Sequence, residues 1–258
     1  MSFGGFLPLI LPGHRSIVAV VRIMSGRNPP KRMIWSTLSV LHAEIGVSVD
    51  FAMLASVNWS GVFDCLAVVI GAVTGAMFAV SRKLDVVGAV AIALVTAYGG
   101  GILRDLLLQS HGFFFMDNPH LIVISAVIAL FVFTLGDKAE KFEGSLFYAD
   151  ALSMAWFALA GVNKSWDAGT GVVIAIVLGT VTAVGGGLLR NVCVGETPAI
   201  FKEGNFYALS ALAGTAFFVA CSTFGAPLAV SSVGCVALAF GLTWASRHFG
   251  WRTKPRGE

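Results

Sequence analysis

Charge is what this sequence has least of. Lys, Arg, Asp and Glu together make up 12% of its 258 residues, about half of the ~25% found in soluble domains. So few charges cannot cover a water-facing surface, which excludes an ordinary soluble globule and a disordered chain. The net charge of +3 excludes the electrostatic footprint of a nucleic-acid binder. Cysteine is scarce too. Cys65, Cys193, Cys221 and Cys235 all fall in apolar stretches, with no CxxC pair and no His at metal spacing, so they read as small core residues. The five histidines do not cluster, no acidic loop resembles a calcium site, and neither a metal nor a cofactor is expected. What fills the chain instead is apolar: 57% of residues are hydrophobic and the mean hydropathy is +0.84. The expectation is an all-α polytopic membrane protein.

The first 58 residues differ from the rest. Arg15, Arg22, Arg27, Lys31 and Arg32 are basic, and Asn28-Pro29-Pro30 breaks any helix. The apolar run at 17–24 is short and interrupted by Arg22, so it does not span a bilayer. It also lacks the layout of a signal peptide. Residues 1–58 are therefore expected to be a poorly ordered N-terminal extension. Because Met53 directly precedes the apolar region, residues 1–52 are either mobile or upstream of the native start, a choice that the intact mass of the native protein decides.

From Val62 onward, apolar runs alternate with short polar breaks. The expected spans are 62–80, 86–108, 120–136, 146–163, 171–193, 205–224 and 227–246, seven in all. The chain also repeats itself. Val95-Thr96-Ala97-Tyr98-Gly99-Gly100-Gly101-Ile102-Leu103-Arg104-Asp105 matches Val181-Thr182-Ala183-Val184-Gly185-Gly186-Gly187-Leu188-Leu189-Arg190-Asn191 at an offset of 86 residues. Without a gap, the same offset puts Asp64 on Asp150, Leu66 on Leu152 and Gly75 on Gly161. Each copy carries three spans, and an odd number inverts the second copy in the membrane. The predicted organisation is a first three-helix repeat at 59–144, an inverted second repeat at 145–225, a seventh helix at 226–248 and a basic tail at 249–258. Arg82, Lys83, Lys138, Lys141, Arg190, Lys202, Arg247, Arg252, Lys254 and Arg256 gather on one side, against Arg104 and Lys164 on the other. This asymmetry predicts a cytoplasmic C-terminus and an N-terminus outside.

Two features inside the spans call for an explanation. Each triplet, Gly99–Gly101 and Gly185–Gly187, weakens a helix by ~1 kcal/mol per glycine relative to Ala. Matched triplets in an inverted repeat predict two helix breaks whose freed carbonyls line a path for a cation or small substrate; the competing reading is close helix packing. The charged residues form the second feature. Asp64 lies at similar depth to Arg104, and Asp150 to Arg190, so two pairs are expected, one at each mouth, with Asp105 and Asn191 beside them. Lys164 is within reach of a pore.

The doubled GGGxxR[DN] motif, each copy two helices after an Asp-bearing span start, resembles the bacterial UPF0126 family, whose domain is also called a glycine transporter. It is similar to the prokaryotic trimeric intracellular cation (TRIC) channels over residues 59–246. The resemblance implies seven helices, an inverted 3+3 repeat plus one, kinks at the triplets, a homotrimer in the bilayer with one pore per subunit, and conduction of monovalent cations with K+ favoured. Asn191 stands where the second motif usually has Asp. The alternative reading is a secondary transporter of glycine or another small amino acid. An aspartyl-protease dyad is disfavoured, because Asp64 and Asp150 belong to opposite faces and no Gly-x-Gly-Asp is present; a purely structural membrane protein does not explain the doubled triplets.

Overall fold

The computed structural model describes residues 58–109, 112–136, 143–201 and 206–251. The expected extension up to residue 57, the tail 252–258, and the loops with Lys138, Lys141 and Lys202 lie outside the described residues. Among those described, all regular structure is helical. We number the long helices α1 (Trp59–Ser81), α2 (Val86–Leu108), α3 (Pro119–Thr134), α4 (Glu143–Asp167), α5 (Val172–Cys193), α6 (Tyr207–Thr223) and α7 (Leu228–His248). A four-residue helix, Phe114–Asp117, precedes α3, and a 3-10 turn, Ala199–Phe201, follows α5. Helices α1, α2, α4, α5 and α7 are long and apolar enough to cross a membrane, whereas α3 and α6 are apolar but shorter, at 16 and 17 residues.

Polar residues set the helix ends. Asn58 caps α1 by accepting from the Gly61 N–H at 3.2 Å, and Asp85 caps α2 by accepting from the Gly88 N–H at 2.8 Å. Pro119 opens α3 at a position that needs no N–H. Helix α4 runs past the expected end at residue 163 to Asp167. Its polar last turn is held in helical register by Asn163 Nδ2 donating to Asp167 Oδ2 at 3.1 Å.

The distribution of side chains is that of a protein dissolved in hydrocarbon. Val87, Val123, Phe131, Val173 and Val233 are all more than 60% exposed. Thr74, Thr96, Thr182, Thr215 and Thr243 are fully buried, as are Ser125 and Ser165. A water-soluble fold reverses this arrangement. The buried threonines donate to carbonyls of their own helices: Thr96 to Ile92 at 2.7 Å, Thr182 to Leu178 at 2.6 Å and Thr74 to Ile70 at 2.8 Å. Thr74 also lies 3.4 Å from the Ala149 carbonyl of α4, and Thr215 lies 3.2 Å from the Thr180 hydroxyl of α5. The interior is rich in alanine (Ala67, Ala72, Ala89, Ala93, Ala158, Ala211). Small residues bring backbones close, and close packing holds membrane helices together where lipid removes the hydrophobic driving force.

Among the described glycines, the shortest approaches to a neighbouring backbone are between α2 and α5. A Cβ on Gly100 would collide with the Thr182 carbonyl oxygen, and one on Gly186 would lie 2.5 Å from the Thr96 carbonyl oxygen. A Cβ on Gly99 would lie 2.9 Å from Leu189 Cδ1, and one on Gly185 2.9 Å from Leu103 Cδ1. Each contact returns in the other repeat at the 86-residue offset. Residue numbers rise along one helix as they fall along the other, so α2 and α5 run antiparallel about a local two-fold axis. Gly75 and Gly161 extend the symmetry: their Cβ positions lie 2.7 Å from the Thr96 and Thr182 hydroxyls.

This geometry corrects one sequence expectation. Gly99, Gly100 and Gly101 lie inside an uninterrupted α2, and Gly185, Gly186 and Gly187 inside an uninterrupted α5. The helices are not unwound into breaks that free carbonyls. The middle glycine of each triplet is needed because the neighbouring backbone occupies the space of a side chain, and the first because a leucine of the other helix lies against it. Gly100→Ala is therefore expected to destabilise the fold despite its better helix propensity, by ~1–3 kcal/mol of overpacking. A lowered melting temperature in detergent, followed by tryptophan fluorescence, is the check.

Candidate functional site

Beyond the crossing, each repeat carries one buried charge cluster. In the first, α1 supplies Asp64, α2 supplies Arg104 and Asp105, and α4 supplies Lys164. Arg104 is fully buried. Its Nη1 donates to Asp64 Oδ1 at 2.6 Å and its Nη2 to Asp64 Oδ2 at 3.1 Å, a two-pronged grip. Nη1 also lies 3.3 Å from the Ala160 carbonyl, and Nε donates to Asp105 Oδ1 at 2.9 Å. Lys164 Nζ is 3.0 Å from Asp105 Oδ1 and 3.9 Å from Asp64 Oδ2. The Phe114 N–H donates to Asp105 Oδ2 at 2.9 Å. Two carboxylates and two cations thus balance.

The second cluster uses the equivalent positions of α4 and α5. Arg190 Nη1 donates to Asp150 Oδ1 at 2.9 Å, and its Nε to Asn191 Oδ1 at 3.3 Å. The guanidinium lies over the Phe78 ring, 4.2 Å from its centroid. One carboxylate and one cation balance here. The Asp64–Arg104 and Asp150–Arg190 pairs are thus both present, and the residues after the arginines, Asp105 and Asn191, take part as partners of the Nε atoms.

A small cavity lies beside each cluster. The first, of about 20 Å³, is lined by Asp64, Gly101, Arg104 and Asp105, with Tyr98 and Phe157 closing it. The second, of about 10 Å³, is lined by Asp150, Gly187, Arg190 and Asn191, with Ile200 and Tyr207. Each is on the scale of one water molecule. The third glycine of each triplet faces this space instead of the crossing. The nearest atom to a Cβ on Gly101 is Arg104 Nη2 at 4.0 Å, and on Gly187 the Tyr207 hydroxyl at 3.8 Å. The triplet therefore has two jobs: two glycines pack and one leaves room. A larger groove of about 310 Å³ beside Gly99, Phe115 and Leu189 has no charged lining residue. It suits hydrocarbon, not an ion.

Sequence reasoning missed Phe78, Tyr207, the Ala160 carbonyl and the Phe114 N–H as members of these clusters. Only Phe78 carried a signal: it is the residue that the 86-residue offset pairs with Lys164. Among the described residues no group of His, Cys, Asp and Glu could hold a metal ion.

Apolar outward faces, a small-residue interior and two internally neutralised charge clusters related by a duplication define a multi-pass helical membrane protein. The family comparison agrees with the duplication: residues 61–137 and 147–223 each match the family described as "Glycine transporter". The chain belongs to this family, whose members also carry the name UPF0126. It is 30% identical over 171 residues to the UPF0126 inner membrane protein YadS of Escherichia coli K12, covering 66% of this chain and 83% of that one. It is 34% identical over 206 residues to the UPF0126 membrane protein SCO4104 of Streptomyces coelicolor, covering 79% and 91%. Among solved structures it is similar to the TRIC trimeric intracellular cation channel orthologue from Rhodobacter sphaeroides, with a TM-score of 0.71, 33% identity, and coverage of 75% of this chain and 100% of that one. A second TRIC cation channel gives a TM-score of 0.68 at 25% identity over 76% and 97%. The solved structures are of cation channels and the family is described as a transporter, and neither description is that of an enzyme.

Removing one partner of a buried pair strands the other, at ~3–5 kcal/mol. Arg104→Met leaves two carboxylates facing Lys164, and Arg190→Met leaves only Asp150, whose side chain is 19% exposed. Arg104→Met is therefore expected to be the more damaging, measured as the yield of monodisperse protein on size exclusion and as melting temperature.

Proposed function

We propose that the chain is an integral membrane channel for monovalent cations, K+ favoured, with one pore in each subunit of a homotrimer. In this reading all seven long helices cross the bilayer as an inverted 3+3 repeat plus one. The N-terminal side of α1 faces outward and the C-terminus the cytoplasm, in the cell membrane that the Escherichia coli relative's name indicates. The observation that carries the reading is the pair of cavities, each bounded by a glycine, an arginine and an acidic residue or its amide. The duplication relates them across the α2–α5 crossing, which supports reading them as the two mouths of one path. The channels to which the chain is similar support the permeant class. The cavities are separate spaces, so conduction requires them to join past the third glycines.

The second reading is a carrier of glycine or another small amino acid, favoured by the family's description. The geometry gives it less support. A carboxylate needs free donors, and all three nitrogens of the Arg104 guanidinium are already engaged by Asp64, Asp105 and the Ala160 carbonyl. The cavities, of about 20 and 10 Å³, are too small for an amino acid.

Proteoliposomes with the full chain separate the two readings. Electrogenic K+ flux without uptake of labelled glycine supports the channel; saturable glycine uptake without uncoupled K+ current supports the carrier. Gly101→Ala and Gly187→Ala place a methyl in the cavities without a backbone clash. They are expected to lower K+ flux several-fold while keeping or raising stability, since Ala is the better helix former by ~1 kcal/mol. Unchanged flux would exclude these two positions from the path.

A further inference from the structure

The two mouths are built to one plan but filled differently. The 86-residue offset that equates Arg104 with Arg190 also equates Asp105 with Asn191 and Phe78 with Lys164. At the first mouth Lys164 and Asp105 form an ion pair beside the Arg104–Asp64 pair. At the second mouth both partners of that additional pair are replaced by neutral groups. Asn191 keeps only its amide oxygen against Arg190, and the Phe78 ring takes the place of the ammonium. Both clusters therefore have zero net charge. Replacing only one of the two positions would have left an unmatched charge in a buried site, which membranes penalise heavily.

Phe78 is also more firmly held than a packing contact requires. It is 4% exposed. Arg190 sits over its ring at 4.2 Å and Arg82 at 4.9 Å. Arg82 in turn is ion-paired to Glu196, beyond the end of α5. The row Asp150–Arg190–Phe78–Arg82–Glu196 thus runs from the buried cluster to a partly exposed ion pair. It ties the α1–α2 turn to the segment after α5. At the offset positions the first mouth has Lys164 for Phe78 and Ala168 for Arg82.

We infer that Phe78 and Asn191 act as one coupled unit that plugs the second mouth, so that Phe78 sets the barrier to permeation there while the ionised Lys164–Asp105 pair keeps the first mouth polar. The plug rests on the channel reading; the coupling of the two residues does not. An aromatic ring in contact with two guanidinium groups takes the place of a polar partner beside Arg190, which lines the second cavity. It offers a permeating cation only a π system that two fixed cations already engage. Leaving the second mouth requires the ring to move aside, and the Arg82–Glu196 pair restrains the turn that carries it.

The test is a cycle of Phe78→Lys, Asn191→Asp and the double variant, with Phe78→Leu measured separately, all in the full chain. Phe78→Lys places a second cation beside Arg190, and Asn191→Asp adds a second carboxylate. Each is expected to lower the melting temperature in detergent by about 5 °C or more. The double variant rebuilds the pairing of the first mouth and is expected to recover most of that loss. A double variant no more stable than the two single effects combined overturns the coupling. Phe78→Leu keeps the core apolar but removes the ring, and is expected to raise K+ flux in proteoliposomes several-fold. Unchanged flux from Phe78→Leu, with a conducting wild type, overturns the plug. A wild type that passes no cation overturns the channel reading and the plug with it, while the melting cycle still decides the coupling.

Discussion

The contact of glycine with carbonyl at the α2–α5 crossing is the constraint from which the rest of the structure follows. Two helix backbones approach until the Thr96 and Thr182 carbonyls occupy space that any side chain on Gly186 and Gly100 would need. This approach sets the distance between the two repeats and the depth at which everything attached to α2 and α5 sits. Lipid competes as well as leucine for apolar side chains, so helix association in a membrane rests on such close packing. The alanines that line α1, α2 and α4 serve the same purpose at a gentler approach. The threonines on both sides return their hydroxyls to their own helices and leave no donor in hydrocarbon.

Given that crossing, the positions of the charges follow. Arg104 and Arg190 lie one turn beyond the last packing glycine on their helices, where the backbones diverge and small cavities open. Each arginine is met there by an aspartate from the first helix of its own repeat. A charge at this depth is tolerated only when its partner is already in place, so the pair ties the helices and lines the cavity at once. The third glycine keeps the space beside the guanidinium open. In the proposed channel, stability and permeation thus draw on the same few residues, and the glycine triplet divides them: Gly99 and Gly100 face the neighbouring helix, Gly101 faces the cavity.

The duplication fixes geometry without fixing chemistry. One backbone plan holds four ionised groups at the first cluster and two at the second, with neutrality kept at each. What a buried site demands is balanced charge, and balance can be met by a Lys–Asp pair or by a ring and an amide. A protein built from two copies of one unit can therefore make its two charge clusters different while retaining the crossing that both depend on.

The sequence by itself determined the class, the order and approximate limits of the helices, the duplication and the Asp–Arg partners. These are properties of composition, of apolar run length and of a repeat without gaps, and charge pairing in a membrane is nearly compulsory. Only the tertiary structure decided what the glycine triplets do. A weak helix former is equally compatible with a break and with a close crossing, and the presence of Thr182 opposite Gly100 is what selects the crossing. It also decided the neighbours of each charge. Lys164 lies 59 residues from Asp105, and Phe78 is far in sequence from Arg190. No local pattern announces such contacts, because they arise from the way α1 and α4 pack against helices of the opposite repeat.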